Sequence, residues 1–202
     1  MPPTRRRFRG HIAGLGSTSG TRVVVGHWPD TPLGPFSDAM VETAAGHRVL
    51  LAPRPEVRAF IAATYSFDEI RLEPVEVTVA GQVWSFRSES LAADFTAGRR
   101  TALGAALRCV PGRVAASPAW CTVTDPIARV AMDGVRTRGT AGNGRREWYG
   151  ATDARGVVEV AGAFDGADLG TLADVDPPCR FGFSSTPRRP TLTTVVTTVE
   201  QP

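Results

Sequence analysis

The sequence contains no lysine, since all 23 residues counted as lysine or arginine are arginines. A chain without a lysine amine cannot form a Schiff base with a carbonyl substrate, and it lacks the lysine of Walker-type phosphate loops. The formal net charge is only +3. A charge of this size, in the absence of a basic stripe, predicts no nucleic-acid partner.

Paired cysteines and long apolar runs are also missing. Cys109, Cys121 and Cys179 are an odd number without C-x-x-C spacing, so neither a disulfide framework nor a zinc ribbon is predicted. No window approaches the roughly 18 apolar residues of a membrane span, and no apolar signal segment follows the basic start MPPTRRRFRG. We therefore expect a cytoplasmic protein with reduced thiols, a short flexible tail over residues 1–6 and no membrane partner.

Patterns that bind cofactors are sparse as well. The glycine-rich stretch GLGSTSG precedes TRVVVG, which has the pattern of a strand, so the helix N-terminus that would hold a pyrophosphate is missing. The three histidines, His11, His27 and His47, match no local ligand motif, and we predict neither a metal nor any other cofactor. One alternative stays open: a hairpin that turns near Ser19 would place His11 opposite His27, and His47 could complete a three-nitrogen metal site.

Turn-forming residues, by contrast, are abundant. The 21 glycines and 16 prolines are spread along the chain, which is typical of many short strands joined by turns. Helical spacing of apolar residues predicts helices at Pro55–Tyr65, Leu103–Val110 and Asp125–Gly134. Outside the central hairpin, the predicted strands are Arg7–Gly14, Thr21–Trp28, Ser37–Thr43, His47–Ala52, Ile70–Val79, Val83–Arg87, Leu91–Phe95, Val157–Phe164, Arg180–Ser184 and Leu192–Val199. These elements predict one mainly β (α+β) domain over residues 1–202, a curled or closed antiparallel β-barrel with about three short helices.

The clearest local structure is a hairpin within residues 134–150, GVRTRGTAGNGRREWYG. Asn143-Gly144 tolerates positive φ at both central positions of a two-residue turn, so the flanking residues should pair as antiparallel strands. Counting outward from this turn places Arg138 opposite Tyr149. Because strand side chains alternate, one face would then carry Arg136, Arg138, Thr140, Glu147 and Tyr149.

Two interpretations of this face remain open. It is either a solvated face with cross-strand support between arginine and glutamate, or a wall whose guanidiniums bind a carboxylate or phosphate. In the second case, Arg136, Arg138, Glu147 and Tyr149 line a barrel cavity and bind a small anionic or carboxylated molecule, with or without enzymatic conversion. The alternative function is a non-catalytic structural or protein-interaction domain without a ligand cavity.

A short motif adds a resemblance to a known family. Residues 34–38, Gly-Pro-Phe-Ser-Asp, run directly into the predicted strand that contains Ala39–Thr43. This step resembles the acetoacetate decarboxylase-like superfamily, in which a Gly-Pro-aromatic-polar-acidic step leads into a barrel strand. The resemblance implies a conical β-barrel with an internal small-molecule cavity. The catalytic lysine of those decarboxylases is absent here, so decarboxylation through a Schiff base is excluded. The overall composition also resembles that of actinobacterial proteins.

Overall fold

The computed structural model describes residues 4–132, 134–141 and 144–201. The helices are α1 (Pro55–Ala62), α2 (Ala102–Arg108), α3 (Gly112–Ala115) and α4 (Pro118–Ala131). The strands are β1 (Thr4–Ser17), β2 (Arg22–Asp30), β3 (Phe36–Glu42), β4 (Arg48–Ala52), β5 (Glu69–Leu72), β6 (Glu76–Ala80), β7 (Val83–Arg87), β8 (Leu91–Arg100), β9 (Arg138–Thr140), β10 (Arg146–Phe164), β11 (Ala167–Asp168), β12 (Leu172–Ala173) and β13 (Thr191–Gln201). The mainly β prediction is confirmed. None of the helices in the described ranges is both long and apolar enough to span a membrane.

All thirteen strands belong to one sheet, whose main path runs β5-β4-β3-β2-β1-β13-β10-β8-β7-β6. β4 and β5 are parallel because α1 connects them as a crossover, whereas β4 and β3 are antiparallel. The two ends of the path, β5 and β6, do not pair with each other among the described strands. Of the two predicted alternatives, a curled or a closed antiparallel barrel, the closed one is wrong: the sheet is open, and the parallel pair of β4 and β5 makes it mixed. The predicted strand Ile70–Val79 is divided into these two edge strands, with Pro74 between them.

The open sheet is nevertheless strongly curled. Val49 of β4, near one end of the path, packs in the same buried cluster as Phe86 of β7, near the other end. Between the two ends, Arg71 of β5 donates a hydrogen bond to Ser90 Oγ at 2.9 Å and forms an ion pair with Asp165. The inside of the curl is filled by apolar side chains, so the core of the domain lies there.

Alternation along the central strands separates this inner face from an outer one. Val23 and Val25 of β2 belong to the inner core, whereas Val24 and Trp28 point to the opposite face. The outer face is covered by α1, α2, Met132 and the chain segments 134–137 and 179–187. Any space between the sheet and these elements therefore lies outside the curl.

Three local predictions are wrong. Residues 4–6 do not form a tail, because they pair with Val199–Gln201 of β13, while residues 1–3 lie outside the described ranges. α4 begins at Pro118 rather than near Asp125, since the Ser117 side chain caps it by accepting a hydrogen bond from Trp120 N at 3.2 Å. Residues 180–184 form an irregular segment instead of a strand.

Candidate functional site

A cavity of about 340 Å³ lies between the outer face of the sheet and the elements that cover it. Its floor consists of alternate residues of β1, β2, β3, β10 and β13, and its roof consists of α1, α2, Met132 and the segments 134–137 and 179–187. The lining is mostly apolar. Its aromatic members are Phe8, Trp28, Phe36, Phe60, Tyr65, Tyr149 and Phe181.

Glu147 and Tyr149 face this cavity, but the hairpin that carries them does not have the predicted register. The observed pairs are Arg146 with Thr140, Glu147 with Gly139, and Trp148 with Arg138. Ala141 N donates to Arg145 O at 2.8 Å, so the connection is three residues long, one more than predicted. Gly144 has a φ of 80° and takes the left-handed position, while Asn143 of the predicted turn and its neighbour Gly142 lie outside the described residues.

Because of this slip of one residue, Arg138 does not share a face with Glu147. Arg136 lies before the start of β9, so the register of the hairpin does not fix its orientation. Arg138 shares its face with Trp148; it is exposed and does not line the cavity. Arg136 does line the cavity, where its Nε lies 3.2 Å from Oδ1 of the buried Asp125. Arg138 is thus outside the lining of this cavity, and the ligand-binding roles of Arg136, Arg138, Glu147 and Tyr149 stay predictions.

Glu147 is held by three hydroxyl groups. Its Oε1 accepts a hydrogen bond from Thr64 at 3.0 Å, and its Oε2 accepts from Tyr149 at 3.0 Å and from Tyr65 at 3.2 Å. The two tyrosine hydroxyls also contact each other, and because each carries a single hydrogen, one of them divides its hydrogen between this contact and Glu147 Oε2. Burial raises the pKa of Glu147, which the three hydroxyls and the charge of Arg145 partly offset. Because both carboxylate oxygens already accept hydrogen bonds, Glu147 anchors the two tyrosines at the cavity wall.

Asp38 of β3 is a second buried carboxyl group in the lining. Only 2% of its surface is exposed, and its Oδ1 accepts a hydrogen bond from Trp28 Nε1 at 3.0 Å. The pair requires Gly26, since a Cβ there would lie 2.5 Å from Asp38 Oδ1 and 2.4 Å from Trp28 Nε1. Burial raises the pKa of Asp38 to about 7, although the indole hydrogen bond lowers it. Asp38 can therefore exchange a proton near neutral pH.

Several polar atoms at the cavity have no protein partner within the described ranges. The hydroxyls of Thr186 and Thr197 are buried in the lining without a hydrogen bond. Asp38 Oδ2 also receives no hydrogen bond from the described residues, but unlike the two hydroxyls this oxygen is not fully enclosed by protein. Buried polar groups without partners are costly, and they are found where a water or a ligand completes the site.

The histidines do not form the alternative metal site. His11 and His27 lie directly opposite each other, as the hairpin predicted, with ring centroids 6.4 Å apart. His47 lies elsewhere, with its Nε2 3.1 Å from Glu69 Oε2. Burial lowers the pKa of both His11 and His27. Across residues 4–132, 134–141 and 144–201, no three His, Cys, Asp or Glu side chains are grouped so that they could hold a metal ion.

Known proteins resemble this chain in fold and not in sequence. No protein-family model matches the sequence, and the search of curated proteins gave no match. The acetoacetate decarboxylase of Legionella pneumophila subsp. pneumophila str. Philadelphia 1 aligns at a TM-score of 0.44 with 9% identity, over 100% of this chain and 86% of that chain. A second acetoacetate decarboxylase structure aligns at 0.42 with 8% identity, over 98% and 84% of the two chains. This chain is similar to acetoacetate decarboxylases.

Both structures are acetoacetate decarboxylases, the enzymes whose superfamily residues 34–38 resemble. At 8–9% identity, the likeness assigns no residue and no reaction to this chain. The chemistry of the cavity therefore follows from its own side chains.

The sequence analysis quoted Asp38 within a family motif but did not recognise it as a candidate site residue. A usable signal was present, since period two places this acid on one strand face between the apolar Phe36 and Met40. Thr64 and Tyr65 carried no such signal. They reach Glu147 across separations of 83 and 82 residues, which only the packing of α1 onto the sheet creates.

The hydroxyl cluster can be tested by removing one of its members. We expect Tyr149→Phe to lower the free energy of unfolding by about 2 kcal/mol, because the buried carboxyl group of Glu147 loses a hydrogen-bond donor. Urea denaturation of Tyr149→Phe, Tyr65→Phe and the double variant measures this loss. Since both hydroxyls act on one carboxylate oxygen, the two effects should not add, and strict additivity would contradict a shared cluster.

Proposed function

We propose that the cavity binds a small organic molecule with a mostly apolar body and at least one hydrogen-bonding group. The observation that carries this proposal is that unpartnered polar atoms, Asp38 Oδ2 and the hydroxyls of Thr186 and Thr197, belong to the lining of an otherwise apolar cavity. A volume of about 340 Å³ is at the small end of the range for ligand pockets. The curled sheet supplies a rigid floor for such a site.

The charges around the cavity bear on the kind of ligand. An anionic or carboxylated ligand, which the arginine pattern predicted, would need a cation free to meet it. Arg136 is the one guanidinium among the described lining residues, and its charge is already paired with Asp125. Two buried carboxyl groups, Asp38 and Glu147, face the same space. The electrostatics therefore favour a neutral or positively charged ligand over an anion.

A thermal-shift experiment with matched probes tests this function. We expect the neutral 2-phenylethanol to raise the melting temperature and the anionic phenylacetate to have little effect. A ligand present at a hundredfold its dissociation constant adds about 2.7 kcal/mol of stability. Ala151→Phe should abolish the shift, because residue 151 lies on the cavity floor. Ala167→Phe is the control, since Ala167 is exposed on β11 away from the cavity.

Three other outcomes of the thermal-shift experiment would contradict this function. A shift with phenylacetate alone would restore the arginine-based anion site. No shift with any probe would favour the alternative, a structural or protein-interaction domain without a ligand. A shift that persists in Ala151→Phe would place the binding outside this cavity.

A further inference from the structure

Asp38 has one oxygen that is available to a ligand. The residue is 2% exposed, its Oδ1 is held by Trp28 Nε1, and its Oδ2 receives no hydrogen bond from the described part of the protein. Glu147, by contrast, has both oxygens occupied by hydroxyl groups. Of the two buried acids at the cavity, Asp38 is therefore the one that can pair directly with a bound molecule.

Aromatic rings surround the same part of the cavity. Trp28 lies with its ring centroid 6.4 Å from that of Phe36 and 6.4 Å from that of Phe8. Phe8 in turn lies 4.6 Å from Phe60 of α1, and all four rings line the cavity. The faces of aromatic rings attract cations, most strongly in a site without water.

The charged groups at this wall of the cavity also favour a positively charged ligand. Asp38 and Glu147 carry the acidic groups at this wall, and the guanidinium of Arg136 is already paired with Asp125. Arg145, whose charge acts on Glu147, lies 4.8 Å from the centroid of the Phe60 ring and donates a hydrogen bond to Phe60 O at 2.9 Å, so no charge near Asp38 itself is balanced by it. A buried carboxylate without a cation is costly, and a positively charged ligand would remove that cost.

We propose that the ligand of the cavity is a small organic amine, bound as its ammonium ion with an N–H donating to Asp38 Oδ2 and its apolar body among the aromatic rings. This proposal rests on the proposed function, since it requires that the cavity bind small molecules at all. The amine proposal goes beyond the proposed function because it names the charge and the polar group of the ligand.

Proton exchange is linked to this binding. Burial raises the pKa of Asp38 to about 7 in the free protein, and an ammonium ion beside it would favour the carboxylate. Binding below pH 7 therefore releases a proton from Asp38. The other titratable or charged groups of the lining are Tyr65, Arg136, Glu147, Tyr149 and Cys179. Burial raises the pKa of both tyrosines well above its ordinary value and that of Cys179 to about 12, so none of these three charges near neutral pH.

Isothermal titration calorimetry with 2-phenylethylamine and 2-phenylethanol tests the proposal, because the two probes differ in the ammonium group alone. We expect the wild-type protein to bind the amine at least about tenfold more tightly than the alcohol at pH 8, the size of one charge-assisted hydrogen bond. The affinity for the amine should fall about tenfold between pH 8 and pH 6. Titrations in two buffers of different ionisation enthalpy should count close to one proton released at pH 6.

Two variants assign the effect to a residue. Asp38→Asn should lose the preference for the amine and retain binding of the alcohol, whereas Glu147→Gln should keep the preference. Equal binding of both probes by the wild-type protein, or a preference that survives Asp38→Asn, would overturn the amine proposal while leaving the cavity as a binding site. If neither probe binds the wild-type protein, both proposals fail.

Discussion

Replacing Asp38 by asparagine is expected to make the protein more stable at pH 8 while leaving its stability near pH 4 little changed. The folded protein raises the pKa of this carboxyl from 3.8 to about 7, because the group is buried. Below pH 4 the carboxyl is protonated in both the folded and the unfolded chain, so it costs nothing. Between pH 4 and pH 7 the folded state binds more protons than the unfolded state, and stability falls as the pH rises. The full loss is on the order of 4 kcal/mol, and it is reached above pH 7.

Urea denaturation of the wild-type protein and Asp38→Asn between pH 4.5 and pH 8.5 measures this difference. The asparagine keeps an oxygen for the indole of Trp28 and cannot ionise, so the gap between the two curves should widen up to pH 7 and then stay constant. Burial raises the pKa of Glu147 too, and its contribution cancels in the comparison. Glu76→Gln on the edge strand is the control, since Glu76 is exposed. Parallel curves for wild type and Asp38→Asn would show that the carboxyl is ionised at little cost.

Removal of the charge of Glu42 is expected to destabilise the fold by about 3–5 kcal/mol, the usual effect of breaking a buried ion pair. Glu42 and Arg22 lie directly opposite each other on β3 and β2, with 3.2 Å between Arg22 Nη2 and Glu42 Oε1. Their side chains are 0% and 4% exposed. Glu42→Gln preserves the shape of the side chain and leaves the guanidinium of Arg22 buried without a negative charge.

The same substitution should also weaken ligand binding, because Glu42 holds part of the cavity roof. Its Oε2 accepts a hydrogen bond from Arg180 N at 2.8 Å, next to Phe181, which lines the cavity. Chemical denaturation and titration with 2-phenylethanol measure the two effects. Glu69→Gln is a suitable control, since the ion pair of Glu69 with Arg71 is partly exposed and should contribute little. An unchanged unfolding free energy for Glu42→Gln would mean that the carbonyls of Thr43 and Pro177 balance Arg22 without Glu42.

The strands and α1 could be predicted from the sequence because period two and helical spacing are local patterns. The register of the central hairpin could not, since two-residue and three-residue turns both suit the sequence GNG. That single residue decided whether Thr140 or Gly139 lies opposite Glu147. The site itself depends on packing between distant elements. Whether an acid such as Asp38 is buried, and which oxygen is occupied, depends on Gly26 and Trp28 of the neighbouring strand.

The pairing of β1 with β13 at the centre of the sheet determines the order in which the strands of this domain can pair during synthesis. Thr4 of β1 lies opposite Gln201 of β13, so the middle ladder forms last during synthesis on the ribosome. Until then β1 is an unpaired edge, and Phe8 lacks the contact with Val199 that completes the cavity floor. Long-range pairing of this kind is slow and leaves apolar surface exposed in the meantime. The nascent domain should therefore expose this apolar surface until β13 has been synthesised, and the cavity floor is complete only after β13 has paired with β1.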